Sequence, residues 1–539
     1  MMARSPQRSF RSLLLVSTII LTCGFLGAVF GQKIAVEGSS STLDLNDSLK
    51  NFSQVYTVVE ANYADQVDPE KVIYNGAIPG MLRVLDPHSN FFDPKSYAAM
   101  REEQRGLYFG VGMQVGPRDN KVIVIAPFVG MPAYRAGIRP GDVIVAVNGK
   151  PTDNMTTSEV ADLLRGPKGS RVKITVLRDG ADKPMEFNVV RDEIPRYSVD
   201  VKLMIRPGIG YMHITNFQET TEHEVGAALD EFGDLKGLIL DLRQNPGGLL
   251  SEGVGVADKF LRKGQIIVSH HGRSSPEKIY RAAHGNGGKE YPLVVLVNRG
   301  TASAAEIVSG AIQDHDRGLI AGETTFGKGL VQTVYPLSEN TGLALTTAKY
   351  YTPSGRLIQR EYNGVSLYDY YYNTAGANNN NNPNKEVKLT DGGRRVMGGG
   401  GIDPDYKIET PKSTPLQDSL LQHYAFFNFA KHYLINKHIT TEFQVDDSVM
   451  HEFRRFLEDQ KIAFNEADLL AVEDWIKTNI KSEMFISEFG QQKGLEVHAQ
   501  EDPEVVKALD LLPKAKELAD NARKIIADRN SARPVSGTQ

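Results

Sequence analysis

From Tyr197 to Glu323, apolar strand patterns and amphipathic helical patterns take turns, and this alternation limits what the chain can fold into more than any other feature. "GIGYMHITNF" and "LKGLILDLRQNPGG" read as strands, and "LLSEGVGVADKFL" reads as a helix. "YPLVVLVN" is a buried strand, "SAAEIVSGAIQDH" a helix and "GLIAGE" a further strand. Elements in that order build a layered α/β core. The 539 residues exceed what one core organises, so two to four domains are expected around it.

The chain opens with "MMARSPQRSFRSLLLVSTIILTCGFLGAVFGQ", three arginines before an uncharged apolar run. This is the pattern of an export signal, so residues 1–31 are expected to be a signal peptide or a retained membrane anchor, and the body periplasmic or in the cell envelope. Cys23, the single cysteine, lies inside this run, which leaves the body without a disulfide. The net charge of −5, with no basic patch, argues against nucleic acid as a partner.

Leu45, Leu49, Phe52, Val55, Val59 and Tyr63 recur at helical spacing, so residues 44–103 are expected to form a helical unit closing with "LDPHSNFFDP". His88 in that turn reads as structural. Residues 104–195 change to short strands, and Thr156 to Glu159 is a capping box opening a helix that ends at Gly166. "AGIRPGDVIVAVNG" at the centre of this region resembles a PDZ domain. That resemblance implies a peptide added as a strand beside the second helix, with its carboxylate on the backbone of Tyr108, Phe109, Gly110, Val111 and Gly112.

The core is expected over 196–410, with an Asn- and Gly-rich excursion at 373–401. A helical C-terminal domain follows over 411–525, with Trp475 in its core, and a disordered tail over 526–539.

Ser303 stands where a strand pattern gives way to a helical one, and Ser303 to Glu306 matches a capping box, which alone would make the serine a cap. The same junction can present a hydroxyl at a strand end beside free amides. Lys328 favours the second reading, since "TFGKGLVQ" sets an amine between two glycines in an apolar stretch. A lysine acts as a base near neutral pH only when burial lowers its pKa from about 10.4 toward ~7 to 8. Lys328 would then take the proton of Ser303, and Gln332 could orient the amine without adding charge. For the oxyanion of acyl transfer, Gly247 and Gly248 in "DLRQNPGGLL" and the N–H of Ala304 are the expected donors.

Together, "GTASAAEIVSGAIQDHDRGLIAGETTFGKGLVQT", "LDLRQNPGGLL", "YYTPSGRLIQ", the PDZ-like insertion and "LDPHSNFF" resemble the carboxy-terminal processing (tail-specific) serine peptidases over Leu45 to Ile408. The resemblance implies a crotonase or Clp-protease type α/β core carrying an inserted PDZ domain, a Ser303 nucleophile, a Lys328 base, a supporting Gln332, and amides near Gly248 and at Ala304 as oxyanion hole. Asp314 matches an acidic position of the family and is given a supporting role only, since a residue so late in the helix can equally be just solvated. The implied substrates are proteins with apolar, unstructured C-termini, cleaved without any cofactor or metal. The resemblance leaves adaptor proteins and oligomers open, and accounts for neither the Asn-rich excursion nor the C-terminal helices. From its place at the end of the PDZ helix, Arg165 is expected to lock that module against the core when a tail is bound.

Three rivals are weaker. A trypsin-like protease with a PDZ domain needs a catalytic domain ahead of that module, and His315 reads as a surface residue. A catalytically inactive scaffold binding C-termini has no need of Ser303, Lys328 and Gln332 together. For a metalloenzyme, His270-His271 lacks ligand spacing.

Overall fold

The computed structural model describes residues 42–118, 120–372, 386–435 and 437–531. The export segment lies outside them, as do 373–385 of the Asn- and Gly-rich excursion and 532–539 of the tail expected over 526–539; the rest of both departs from that reading, because Val387–Leu389 pairs with Arg395–Met397 and the last helix runs on to Ser531. The chain divides into two units, one ending at Ile78 and one starting at Pro79. In the first, a helix over Thr42–Asn62 carries Leu45, Leu49, Phe52, Val55 and Val59, all exposed. The described residues contain no helix long and apolar enough to cross a membrane.

The second unit holds the α/β core. Its main sheet runs β1 (Val199–Arg206), β2 (Ile209–Ile214), β3 (Gly237–Asp241), β4 (Leu293–Val297), β5 (Leu319–Gly322), then Tyr406–Lys407. β1 pairs antiparallel with β2, and every later pair is parallel. β3, β4 and β5 are buried along their whole length, which is why they read as unbroken apolar runs. One face is covered by α1 (Thr221–Phe232), α2 (Leu250–Asp258) and α3 (Ala304–Asp314), whose Val225, Val256, Val308 and Ile312 pack on Leu238, Leu240 and Val295.

The other face is closed from the far end of the sequence. α4 (Pro503–Ser531) sets Val505, Ala508, Leu511, Leu512 and Ala515 against Ile239, Val294 and Leu296. The helices between Pro415 and Phe489 form their own core around Phe429, Phe453, Ile476 and Ile480, with Trp475 edge-on to Phe426 at 5.2 Å. The C-terminal helices are thus shared between two cores.

A second, antiparallel sheet joins Asn90–Phe92, Gly342–Tyr351, Ile266–Gly272 and Ser275–Arg281, with Leu330–Pro336 also paired to Gly342–Tyr351. It carries the strand after Lys328 and the strand after His88 to the same neighbour. The PDZ module has Met113–Arg118 as the edge of its sheet beside the helix Thr157–Leu164, whose capping box is formed.

Leu511 is 1% exposed on the face that α4 closes. Leu511→Ala is expected to lower unfolding stability by about 2–5 kcal/mol in a denaturant titration. A loss under ~0.5 kcal/mol would show that α4 does not seal the sheet.

Candidate active site

β4 ends at Val297, and the turn that follows ties the start of α3 to the loop after β3. Thr301 Oγ1 donates to the Leu242 carbonyl (2.7 Å), and Ala302 N–H donates to the Asn245 carbonyl (2.8 Å). Ser303 adopts φ +54° and ψ −114°, a conformation that costs a non-glycine residue on the order of 1–3 kcal/mol. Its neighbours over-determine it. Ser303 N–H donates to the Glu306 carboxylate (2.8 Å), and its carbonyl accepts from Ile307 N–H (3.0 Å) and the Tyr350 hydroxyl (3.1 Å).

Gly247 and Gly248, at φ +93° and +146°, bring a second backbone segment onto the serine. A Cβ on Gly247 would stand 2.7 Å from Ser303 Cβ, and one on Gly248 would stand 2.0 Å from the Phe217 carbonyl oxygen. No side chain fits at either place. Of the three expected oxyanion donors, Gly247 is corrected: its N–H is engaged by Asn245 Oδ1 (2.8 Å), so its contribution is the close approach itself. The N–H groups of Gly248 and Ala304 have no acceptor among the described residues.

Lys328 lies in the loop between β5 and the strand Leu330–Pro336. Gly327 N–H (2.7 Å), Lys328 N–H (2.9 Å) and the Thr325 hydroxyl all donate to Glu306. The buried Tyr350 hydroxyl also donates to the Lys328 carbonyl, bridging the backbones of serine and lysine. Burial holds the lysine pKa below its usual value, opposed by the charges of Glu306 and Asp86. Burial likewise pushes Glu306 up to about 7, against the four donors that favour its charged form. The Lys328 amine has no hydrogen-bond partner among the described residues. Gln332 projects from the following strand, and its amide donates to Thr346 Oγ1 (3.2 Å) across the hairpin.

Tyr108, Phe109 and Gly110 lie on a strand paired with Asp192–Pro195, while Val111 and Gly112 turn the chain, their carbonyls accepting from Ala133 N–H (2.8 Å) and Phe128 N–H (2.9 Å). Arg165 pairs with Glu102 (3.6 Å) and covers the Tyr108 ring, so its partners belong to the helix Pro94–Arg105 and the loop itself. Sequence reasoning missed Arg191, which caps the PDZ helix by donating to the carbonyls of Leu163 (2.8 Å) and Leu164 (2.9 Å). Nothing in a single sequence marks an arginine for that contact.

Two readings of acidic and basic residues change. Asp314 is not solvated but is 1% exposed, paired with the fully buried Arg356 at 2.7 Å. His315 is not at the surface: its ring is enclosed between Asp391 and the Ile266 carbonyl, each at 2.7 Å. His271 is stacked on Tyr351, as a strand-end residue would be. Among the described residues no cluster of side chains could hold a metal ion.

The comparisons with known proteins agree with this layout. Residues 208–366 match the model of peptidase family S41 and 124–178 that of a PDZ domain. Residues 30–96 match the N-terminal domain of the activating protease CtpB. The C-terminal helices, which the resemblance left unaccounted for, match over 416–468 the C-terminal helical domain of a probable PDZ-protease. A carboxy-terminal-processing protease of Bartonella bacilliformis is 40% identical over 337 residues, covering 61% of this chain and 76% of that one. The carboxy-terminal processing protease CtpA of Bacillus subtilis is 36% identical over 337 residues, covering 62% and 70%. Among solved structures, a photosystem II D1 C-terminal processing protease aligns at 33% identity over 66% of this chain and 86% of that one, with a TM-score of 0.34.

A lysine whose folded pKa lies below its unfolded 10.5 binds fewer protons in the native state between those two values, so stability rises with pH across that window. On the acid side the buried amine is therefore a cost. Lys328→Met is expected to raise Tm at pH 6 by a few degrees, and the gain should fade toward pH 10. A melting series in which the Lys328→Met variant shows no gain at pH 6 would show that the amine is not desolvated.

Proposed function

Because the chain belongs to the carboxy-terminal processing proteases of peptidase family S41, we propose that it is an exported serine endopeptidase working through a Ser303–Lys328 dyad. The observation that carries this reading is the strained Ser303, set beside the unengaged N–H groups of Gly248 and Ala304 and clamped through Glu306 to the loop of a half-buried lysine.

In acylation, Ser303 Oγ attacks the scissile carbonyl carbon while its proton passes to the neutral Lys328 amine. The carbonyl oxygen becomes an oxyanion and accepts from Gly248 and Ala304 N–H. The lysine ammonium then gives its proton to the departing amine, the C–N bond breaks, and an ester to Ser303 remains. A water molecule, deprotonated by the same amine, cleaves the ester, and the proton returns to Ser303. The chemistry calls for no cofactor. Gln332, on the strand that follows the base, supports the loop through Thr346.

Recognition is assigned to the PDZ module. An apolar, unstructured tail adds beside Met113–Arg118, its carboxylate on the backbone of residues 108–112. Arg165, covering Tyr108, then lies where an occupied loop would be felt. The module presents the tail, and the core cuts upstream of it. The apolar run of residues 1–31 carries the reading of export to the cell envelope.

Ser303→Ala and Lys328→Ala are each expected to lower kcat/KM by a factor of ~10³ or more on an unfolded peptide with an apolar free carboxy-terminus. Amidating that terminus should raise KM, and a chelator should change nothing. Full turnover by Lys328→Ala would overturn the dyad.

A further inference from the structure

Two sequence features take no part in the reaction as drawn: the turn "LDPHS" and the tyrosine-rich run "SLYDYYY" over 366–372. In the structure they meet beside the lysine loop. A short helix over Leu367–Tyr371, capped by Ser366, is fastened to the turn by two tyrosines. Tyr370 Oη shares a hydrogen bond with His88 Nε2 (2.9 Å), and Tyr371 Oη donates to the Pro87 carbonyl (2.8 Å). Their partners lie more than 280 positions earlier in the chain.

The helix also reaches both residues flanking the base segment. Tyr370, 3% exposed, stands edge-on to Phe326 with ring centroids 5.6 Å apart, and the Arg360 guanidinium lies over Phe326 (3.8 Å) and Tyr370 (4.3 Å). Gln359 donates to Tyr370 Oη (3.1 Å) and accepts from Gly329 N–H (2.8 Å). Phe326, Tyr370, Tyr371 and the His88 ring are mutually packed. They form an aromatic wall beside the loop that carries Lys328.

We propose that His88 and Tyr370 are positioning residues for Lys328: the helix Leu367–Tyr371, latched to the His88 turn, is a roof that excludes water from the lysine amine. The inference rests on reading Lys328 as the base. Two carboxylates face that amine and favour its charged form, so the exclusion of water has to outweigh them. Glu306 faces it from α3, and its oxygens are occupied by Ser303, Thr325, Gly327 and Lys328 donors. Asp86 faces it from the turn, and its oxygens accept from His88 N–H (2.8 Å), Ser89 N–H (2.8 Å) and the Ser89 hydroxyl (2.7 Å). His88 is held neutral, pushed down to about 3 by burial and by the charges of Lys328 and Arg360, so the imidazole itself adds no charge beside the amine. The hydrogen bonds on Asp86 keep that carboxylate charged, which favours the ammonium, so the turn lowers the lysine pKa only through the water it removes.

The test measures Lys328 directly. In the Ser303→Ala background, labelling of Lys328 by an amine-reactive reagent is followed by mass spectrometry against pH, with and without Tyr370→Ala or His88→Ala, each checked for an intact thermal transition. Either alanine is expected to move the labelling midpoint up by about one pH unit, and in the Ser303 enzyme to move the acidic limb of kcat/KM with it, an about tenfold loss at pH 7 that is regained at higher pH. Tyr370→Phe, which keeps the ring, is expected to hold the midpoint near that of the wild type. Unmoved midpoints in both folded alanine variants would overturn the roof, whatever Lys328→Ala does to turnover. A moved midpoint with full turnover by Lys328→Ala would leave the roof standing and remove the base.

Discussion

One buried carboxylate holds the site together. Glu306 accepts from the backbone of Ser303, from the backbones of Gly327 and Lys328, and from the Thr325 hydroxyl. A fully buried carboxylate left alone would cost several kcal/mol, and four donors offset that by bonding its charged form. The same four bonds make the Ser303 turn and the Lys328 loop one rigid body, since neither can shift without leaving a donor empty in a dry interior. The Tyr350 hydroxyl, shared between the Ser303 and Lys328 carbonyls, repeats the connection from the opposite polarity. The strain stored at Ser303 persists because both its N–H and its C=O are held.

The fold was legible where it depended on local pattern. Continuous apolar runs marked β3, β4 and β5, and the strand-to-helix junction at Ser303 and the glycines around Lys328 marked both halves of the site. Glu306 was legible only as a cap. In the structure it is still a capping residue, but the motif S-x-x-E could not say that the same carboxylate also faces the lysine loop. The contacts that escaped reading are those between distant segments: His88 with Tyr370, Asp314 with Arg356, His315 with Asp391. A single sequence carries no period linking such pairs, so each residue was judged by its own neighbourhood, and the bland solvated reading of Asp314 and His315 was the natural error.

The C-terminal helices show the same limit with a larger consequence. Their amphipathic pattern announced a separate helical domain, yet the face of α4 lies on the sheet that carries the site. Its start does more than pack. Arg243, two residues past β3 and two before Asn245, is held by Asp241 (2.6 Å), by Asp502 (2.9 Å) and by Glu504 (3.4 Å). Asp502 in turn caps α4 through Glu504 N–H (2.8 Å) and Val505 N–H (3.2 Å). Asp241 is 1% exposed, and a buried carboxylate deprived of its cation costs far more than the pair contributes while intact. The arginine is therefore committed to that cluster, and the loop running on to Asn245, Gly247 and Gly248 starts from a point fixed by the far end of the chain. On its other side the loop is fixed by Asn298, whose Oδ1 accepts from both Gln244 N–H (2.9 Å) and Gly300 N–H (3.0 Å). A glycine pair at positive φ has little stiffness of its own, so it can hold an amide in one place only if the segment around it is anchored this firmly. The C-terminal segment is in that sense part of the fold that shapes the candidate site, because it supplies one of those two anchors.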